Sequence, residues 1–217
     1  MAGIANCRED LLYSVFGKDA ELLIDHAYGI ETATIADIKS YRSSIHSISN
    51  GQVLMRDYTF DEAMIIVREM TDMLCLDLVD KNLVTSSISL YIGYSNTLNI
   101  PPANGTAKLN METSGDLFII PAMIELYKHI TDRNKPIRRI NISFNQIHRE
   151  QYFCSSLFEE ENEQFVKNRN VQKAVLHLKK RFGKNAILKG MDYQEAATAR
   201  ERNCQIGGHK SGVQTKK

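Results

Sequence analysis

Near the middle of the chain lies the stretch Ser87-Ile88-Ser89-Leu90-Tyr91-Ile92, in which apolar residues alternate with serine and tyrosine. Because successive side chains of a β-strand point to opposite faces, this pattern predicts a strand with one buried and one open side. Similar alternation in residues 108–112 and 139–145 predicts two further strands. A fourth strand is predicted over residues 47–58, with a bulge at Gly51.

Helical patterns separate these strands. Thr59 and Glu62 have the spacing of a capping box, which predicts a helix from there to about Val79. A second helix is predicted to hold Pro121 in its first turn, where the missing N–H does little harm. Its buried stripe is predicted to consist of Leu117, Ile120, Ile124 and Tyr127. The order β-α-β-β-α-β predicts an α+β fold, a four-stranded antiparallel sheet with both helices on one face.

The other face of this sheet is predicted to be polar. If the apolar residues of each strand face the helices, the intervening residues must share the open side. These residues are Ser87, Ser89, Tyr91, Lys108, Asn110, Arg139, Asn141, Ser143 and Asn145. Hydroxyl, amide and basic groups dominate, which is typical both of a solvated face and of a face that binds a polyanion.

The segments on either side of this sheet are simpler. Residues 1–29 predict two short helices separated at Gly17, either a plain hairpin or one whose second helix offers free N–H groups to a phosphate. Residues 30–46 indicate a linker. Residues 165–182 predict a basic helix that Gly183 ends. From Lys184 onward the sequence shows no clear period, and a mobile tail is expected at the end that contains Gly207-Gly208 and Lys216-Lys217. The apolar stripe of that helix is predicted to comprise Val171, Ala174 or Val175, Leu178 and Phe182.

Charge is distributed unevenly along the 217 residues. Residues 1–164 contain 14 basic and 23 acidic side chains, whereas residues 165–217 contain 13 basic and 3 acidic ones. A basic C-terminal block of this kind attracts polyanions, but it also occurs as the solvated face of an amphipathic helix. Both interpretations remain open at this point.

Several classes of protein are excluded. The longest apolar run, Leu117–Ile124, is far shorter than the roughly 18 to 20 residues that cross a bilayer, and no secretion signal opens the chain. A cytoplasmic protein that does not contact the membrane is therefore expected. The four cysteines are scattered, and HExxH, GxxxxGK[ST] and GxSxG motifs are missing. We therefore expect no metal site, no cofactor and no serine nucleophile.

Taken together, five stretches resemble the C-terminal half of Y-family translesion DNA polymerases of the UmuC/DinB class, especially the Gram-positive branch. Residues 16–29 resemble the last helix-hairpin-helix of the polymerase thumb. Residues 47–54 and 137–144 resemble the first and last strands of the little finger domain. Residues 181–188 and 205–209 resemble the C-terminal segment of that branch. The resemblance covers nearly the whole chain.

The resemblance implies a domain division and a missing part. The implied segments are 1–29, a thumb remnant; 30–46, a linker; 47–150, the little finger; 151–163, a loop like a clamp-binding peptide; and 164–217, the basic helix and mobile tail. The catalytic palm and the fingers of the family are not among them. The chain is therefore expected to be no enzyme by itself: a natural truncation, an excised domain, or one half of a split polymerase whose palm and fingers are separately encoded.

The resemblance also implies which residues contact DNA. The little finger would lie on primer–template DNA without regard to sequence, as part of error-prone synthesis in the SOS response to DNA damage. The implied DNA-binding residues are Gly17, Lys18, Ser47, Ser49, Ser87, Ser89, Lys108, Asn110, Arg138, Arg139, Asn141 and Ser143. His46, where many relatives have Lys, and the acidic Glu112 are departures that predict weaker binding.

A short peptide after the sheet implies a second partner. Residues 151–158 resemble the family's sliding-clamp peptide, with Leu157 and Phe158 as anchors and with Cys154 in place of the usual Gln. A rival interpretation of the whole chain is a ferredoxin-like protein-interaction module whose open sheet face meets protein. The salt dependence of binding and the nature of the partner distinguish the two.

Overall fold

The computed structural model describes residues 1–40, 46–150, 159–206 and 209–210. The chain divides into two compact units, Met1–Ser44 and Ile45–Lys217. The first unit contains helices α1 (Ala2–Ala5), α2 (Glu9–Phe16), α3 (Asp19–Ala27) and α4 (Ile35–Ser40). The second contains β1 (Ser47–Tyr58), α5 (Phe60–Lys81), β2 (Leu83–Tyr94), β3 (Ala103–Thr113), α6 (Asp116–Ile130), β4 (Ile137–Asn145), β5 (His148–Arg149), α7 (Glu159–Phe182), α8 (Ala199–Arg202), β6 (Gln205–Ile206) and β7 (His209–Lys210).

The first unit is a small helical hairpin with additions at both ends. Helices α2 and α3 are separated at Gly17, as the sequence predicts, and Gly17 adopts a φ of 59° that favours glycine. Within residues 1–40, the described part of this unit, Leu12 and Ala20 are the only buried apolar side chains. Helix α4 forms inside the segment interpreted as a linker.

The second unit has the predicted β-α-β-β-α-β order and fold. Its four main strands are all antiparallel, in the spatial order β1-β4-β2-β3, and the short β5 pairs with β2. Helices α5 and α6 cover one face, where they bury the apolar residues of the strands. Among the most deeply buried side chains are Ile66, Met70 and Leu74 of α5, Ile88, Leu90 and Ile92 of β2, Met123 and Tyr127 of α6, and Ile140, Ile142 and Phe144 of β4.

The capping box that starts α5 is confirmed. The Glu62 N–H donates to Thr59 Oγ1 over 3.4 Å, and the Thr59 N–H donates to Glu62 Oε2 over 2.9 Å. Hydrogen bonds from the Arg56 guanidinium and from the Thr59 N–H lower the pKa of Glu62 to about 2. The first long helix is therefore fixed where β1 ends.

Three predicted details of the sheet and of α6 are wrong in whole or in part. The bulge is not at Gly51, because β1 and β4 pair regularly from Ser47 to Val53 and the register shifts only before Tyr58. Pro121 lies in the second turn of α6, because this helix starts directly after Gly115, whose N–H donates to Thr113 Oγ1. The buried stripe shifts accordingly: Ile119, Met123, Ile124, Leu126 and Tyr127 are buried, whereas Leu117 is 52% exposed.

Helix α7 contacts the domain through the buried Phe165 and through polar side chains, and most of its predicted apolar stripe does not take part. Asn168 donates to Asp116 Oδ1 over 2.7 Å, and Gln172 donates to the Ser114 carbonyl over 3.2 Å. Arg169 is buried against Ser114 and forms an ion pair with Glu150. Because these bonds orient the helix, its apolar residues Val171, Leu178 and Phe182 are exposed.

Residues 184–206, for which the sequence shows no regular pattern, contact the helix side of the sheet. The backbone N–H groups of Thr198 and Ala199 donate to Glu69 Oε2, over 3.0 and 3.2 Å. Arg202 donates to Gln52 Oε1 over 2.8 Å and to Asn50 Oδ1 over 3.1 Å. This segment therefore covers the polar positions that β1 presents to the helix side.

Candidate nucleic-acid interface

The open face of the sheet, opposite α5 and α6, consists of four rows of directly paired residues. From one end to the other, the rows are Ser47, Asn145, Ser87 and Lys108; Ser49, Ser143, Ser89 and Thr106; Gly51, Asn141, Tyr91 and Asn104; and Val53, Arg139 and Gly93. None of these residues is acidic. The face therefore offers hydroxyl, amide and basic groups to a ligand.

Hydrogen bonds order part of this face before any ligand arrives. The hydroxyls of Ser89 and Thr106 are 2.8 Å apart, and Asn145 Nδ2 donates to Ser89 Oγ over 2.7 Å. Ser87, by contrast, is buried, although it belongs to the first row. Asn110 is exposed and lies beyond the paired rows, in the stretch of β3 between Lys108 and Thr113 where the register with β2 shifts.

The two predicted arginines are not equivalent. Arg139 lies in the last row of the open face and is exposed, and no group among the described residues hydrogen-bonds or ion-pairs with its guanidinium. Arg138 lies where the pairing of β2 and β4 becomes irregular, and its Nη1 is 3.8 Å from Asp57 Oδ1. The Arg139 guanidinium can therefore pair with a phosphate directly. At Arg138, a phosphate must compete with the Asp57 carboxylate.

The acid that the sequence places near this face has a partner. Glu112 Oε2 is 2.7 Å from His148 Nε2, and this hydrogen bond raises the pKa of His148 above its ordinary 6.5. The contribution of the pair to stability is present at low pH and is lost as the pH rises through the raised pKa. Glu112 therefore offers less free negative charge to a polyanion when His148 is protonated.

The other predicted site residues lie elsewhere. Gly17 and Lys18 lie between α2 and α3 of the first unit, where Lys18 is exposed. Leu157 and Phe158 lie outside the described residues. Sequence reasoning missed Asn104 and Thr106, because they alternate with Ala103, Gly105 and Ala107, residues too small to mark an apolar side.

Two properties of the described part of the chain bear on its chemistry. Across residues 1–40, 46–150 and 159–206, no cluster of three or more His, Cys, Asp or Glu side chains has an arrangement that would hold a metal ion. Within the same ranges, every helix is too short or too polar to span a bilayer.

The architecture and its polar face agree with a defined class of domain. The model of the impB/mucB/samB family C-terminal domain matches residues 45–157, so the chain belongs to this family. It corresponds to the C-terminal part of a Y-family DNA polymerase, which confirms the resemblance seen in the sequence.

Three curated relatives cover almost all of this chain. It is 28% identical over 203 residues to the putative UV-damage repair protein UvrX of Bacillus subtilis, covering 93% of this chain and 47% of the relative. It is 25% identical over 211 residues to DNA polymerase IV 2 of the same species, covering 96% and 50%. It is 20% identical over 207 residues to DNA polymerase IV 2 of Halalkalibacterium halodurans, covering 95% and 49%. The chain thus spans about half the length of these relatives.

Proposed function

We propose that this chain is the DNA-binding part of an error-prone translesion polymerase that acts on damaged DNA in the cytoplasm during the SOS response. The observation that carries the proposal is the free Arg139 guanidinium on a sheet face whose four rows contain no acid. The names of the relatives, a UV-damage repair protein and DNA polymerases, support it.

The chemistry of the face suits phosphate rather than bases. Arg139 and Lys108 lie in opposite end rows and provide charge, and the serine and asparagine side chains between them provide neutral hydrogen bonds. Contacts of this kind position a protein on the sugar-phosphate backbone and carry no sequence information. Binding to a primer–template duplex is therefore expected to be independent of sequence.

We place nucleotide transfer in the palm and fingers domains of the polymerase rather than in the residues described here. Because the chain spans about half the length of its relatives, we propose activity only for an assembly that includes palm and fingers domains. Those domains either belong to the same longer chain or come from a separately encoded half. In both arrangements, the residues described above would hold the duplex while other residues bind the nucleotide and metal ions.

The proposal predicts how each arginine contributes to DNA binding. Replacing Arg139 by Ala should flatten the log–log salt dependence of binding by about 0.9, the value for one neutralised phosphate of a duplex. Arg138→Ala should have a smaller effect, because Asp57 already pairs with this side chain. The measurement is fluorescence anisotropy of a labelled primer–template duplex at increasing KCl concentration.

Lys128→Ala is the matched control, because Lys128 is an exposed cation of α6, on the helix side of the sheet. It should leave the slope unchanged. An Arg139→Ala protein with the wild-type slope, or one weakened on a single sequence only, contradicts the proposal. If the wild-type chain shows no salt-dependent binding to the duplex, the protein-interaction alternative is favoured.

A sliding clamp is the second proposed partner. Leu157 and Phe158 precede three consecutive Glu residues in the sequence, a pattern that suits a short apolar anchor rather than a core segment. Replacing both by Ala should weaken binding to the bacterial clamp by at least about thirtyfold, since truncating a buried aromatic anchor costs roughly 2 kcal/mol or more. Surface plasmon resonance on immobilised clamp measures the loss. DNA binding and melting temperature should stay unchanged, and a large drop in melting temperature would assign the pair to core packing instead.

A further inference from the structure

Gly93 lies directly across from Arg139 in the pairing of β2 and β4. A Cβ atom added at Gly93 would lie 3.0 Å from Arg139 Cβ, 3.8 Å from its Cγ and 3.4 Å from Tyr91 Cε1. The first distance is tighter than nine in ten real Cβ contacts. Any larger residue at position 93 would therefore displace the start of the Arg139 side chain.

Space, and not backbone conformation, is what glycine provides at this position. The glycines with positive φ in the described part of the chain are Gly17, Gly29 and Gly183, so Gly93 has a backbone conformation that other residues adopt freely. On the opposite side, β1 places Val53 against Arg139. The arginine thus lies between a branched side chain and a bare backbone.

Gly51 provides a contrast on the same face. It pairs with Asn141, and a Cβ at Gly51 would lie 3.5 Å from Asn141 Oδ1, an ordinary van der Waals contact. Alanine therefore fits at Gly51 without moving a neighbour. Of the two glycines in the rows of the open face, only Gly93 is required by the side chain beside it.

We propose that Gly93 is a positioning residue for the contact between Arg139 and a DNA phosphate, an inference that rests on the proposed function. Arginine binds phosphate through a planar fork, and two parallel hydrogen bonds form only if the guanidinium has the correct orientation. With no side chain at position 93, the Cβ and Cγ atoms of Arg139 keep the place that the strand pairing gives them. A methyl group there would displace these atoms and, with them, the guanidinium that must align with the phosphate.

The test compares Gly93→Ala, Gly51→Ala, Arg139→Ala and the double variant Gly93→Ala/Arg139→Ala in the salt-dependent anisotropy assay. Gly93→Ala should flatten the slope by about 0.9 and weaken duplex binding by about tenfold, as Arg139→Ala does. Gly51→Ala should remain within about twofold of the wild type. The double variant should bind like Arg139→Ala alone, because Gly93 acts only through that side chain.

A rescue variant keeps the test decisive if Gly93→Ala is less stable. Val53→Ala opens space on the other side of Arg139, so Val53→Ala/Gly93→Ala should recover most of the lost binding and salt slope. A lack of recovery overturns the inference, as does a Gly93→Ala protein that binds like the wild type while Arg139→Ala is weakened. Equal losses in Gly51→Ala and Gly93→Ala also overturn it. Failure of the wild-type protein to bind DNA contradicts the proposed function instead.

Discussion

Replacing Phe144 by alanine is expected to lower the free energy of unfolding by about 3 to 5 kcal/mol. Phe144 is fully buried in β4, the strand that pairs with both β1 and β2. Its direct neighbours across the two strands are Ile48 and Ile88. The loss combines the transfer of a phenyl ring to water with the cavity that remains, and close-packed surroundings relax only in part. For a protein of ordinary stability, about 5 to 15 kcal/mol, this is a large fraction.

Urea unfolding followed by circular dichroism measures this change. Val53→Ala is the matched control, because Val53 belongs to the same sheet but lies on the open face with 57% of its surface exposed. It should change the free energy of unfolding by less than about 0.5 kcal/mol. A Phe144→Ala protein that loses less than about 1 kcal/mol would show that Phe144 is not a central part of the core.

Replacing Lys189 by methionine should cost about 2 kcal/mol of stability. The Nζ atom of Lys189 is 2.6 Å from a carboxylate oxygen of Asp72 and 2.6 Å from one of Asp116. The two aspartates are only 16% and 12% exposed, so without the lysine they would remain as neighbouring buried charges. Breaking a buried ion pair costs about 3 to 5 kcal/mol. We expect less here because Lys189 itself is 44% exposed, so solvent screens the pair.

The pH dependence of this stability difference shows whether the ion pairs of Lys189 cause it. Burial alone would raise the pKa of Asp116, but the hydrogen bonds from Lys189 and Asn168 hold it below its ordinary 3.8. This stabilisation is present above pH 3.8 and is lost as the pH falls through the lowered pKa. The difference between the wild type and Lys189→Met should therefore shrink in acid. Lys128→Met, which removes an exposed pair with Glu125, should cost at most about 1 kcal/mol at any pH. A constant difference would mean that the lysine contributes by packing.

The parts of the fold that were predicted correctly depend on local patterns. Alternation with a period of two places Arg139, Asn141 and Ser143 by parity, because a strand offers only two faces. The capping box of Thr59 and Glu62 requires only a spacing of three residues. Such signals depend only on residues that are close in sequence, so tertiary contacts elsewhere in the chain do not change them.

The features that the sequence did not reveal depend on contacts between distant residues. The apolar stripe of α7 is visible in the sequence, but Arg169 turns it outward by pairing with Ser114 and Glu150. The attachment of the C-terminal segment through Lys189 and Asp72 leaves no periodic trace. Likewise, the inequality of the neighbouring arginines arises from Asp57 on another strand. Sequence predicts which side of an element a residue occupies, but not which distant group meets it there.

The strand order β1-β4-β2-β3 has a consequence for how the domain folds during its synthesis on the ribosome. Strand β1 is the first strand of the sheet to be synthesised, but its neighbour in the sheet is β4. Ser47 can therefore pair with Asn145 only after the residues between them have been synthesised. At about 5 to 20 residues per second, translation takes roughly 5 to 20 s to cover that distance. During this time β2 and β3 can form their hairpin, whereas β1 exposes both its backbone and the apolar side chain of Leu54. The sheet closes late, and nascent chains are most vulnerable to aggregation and to chaperone capture just before β4 emerges.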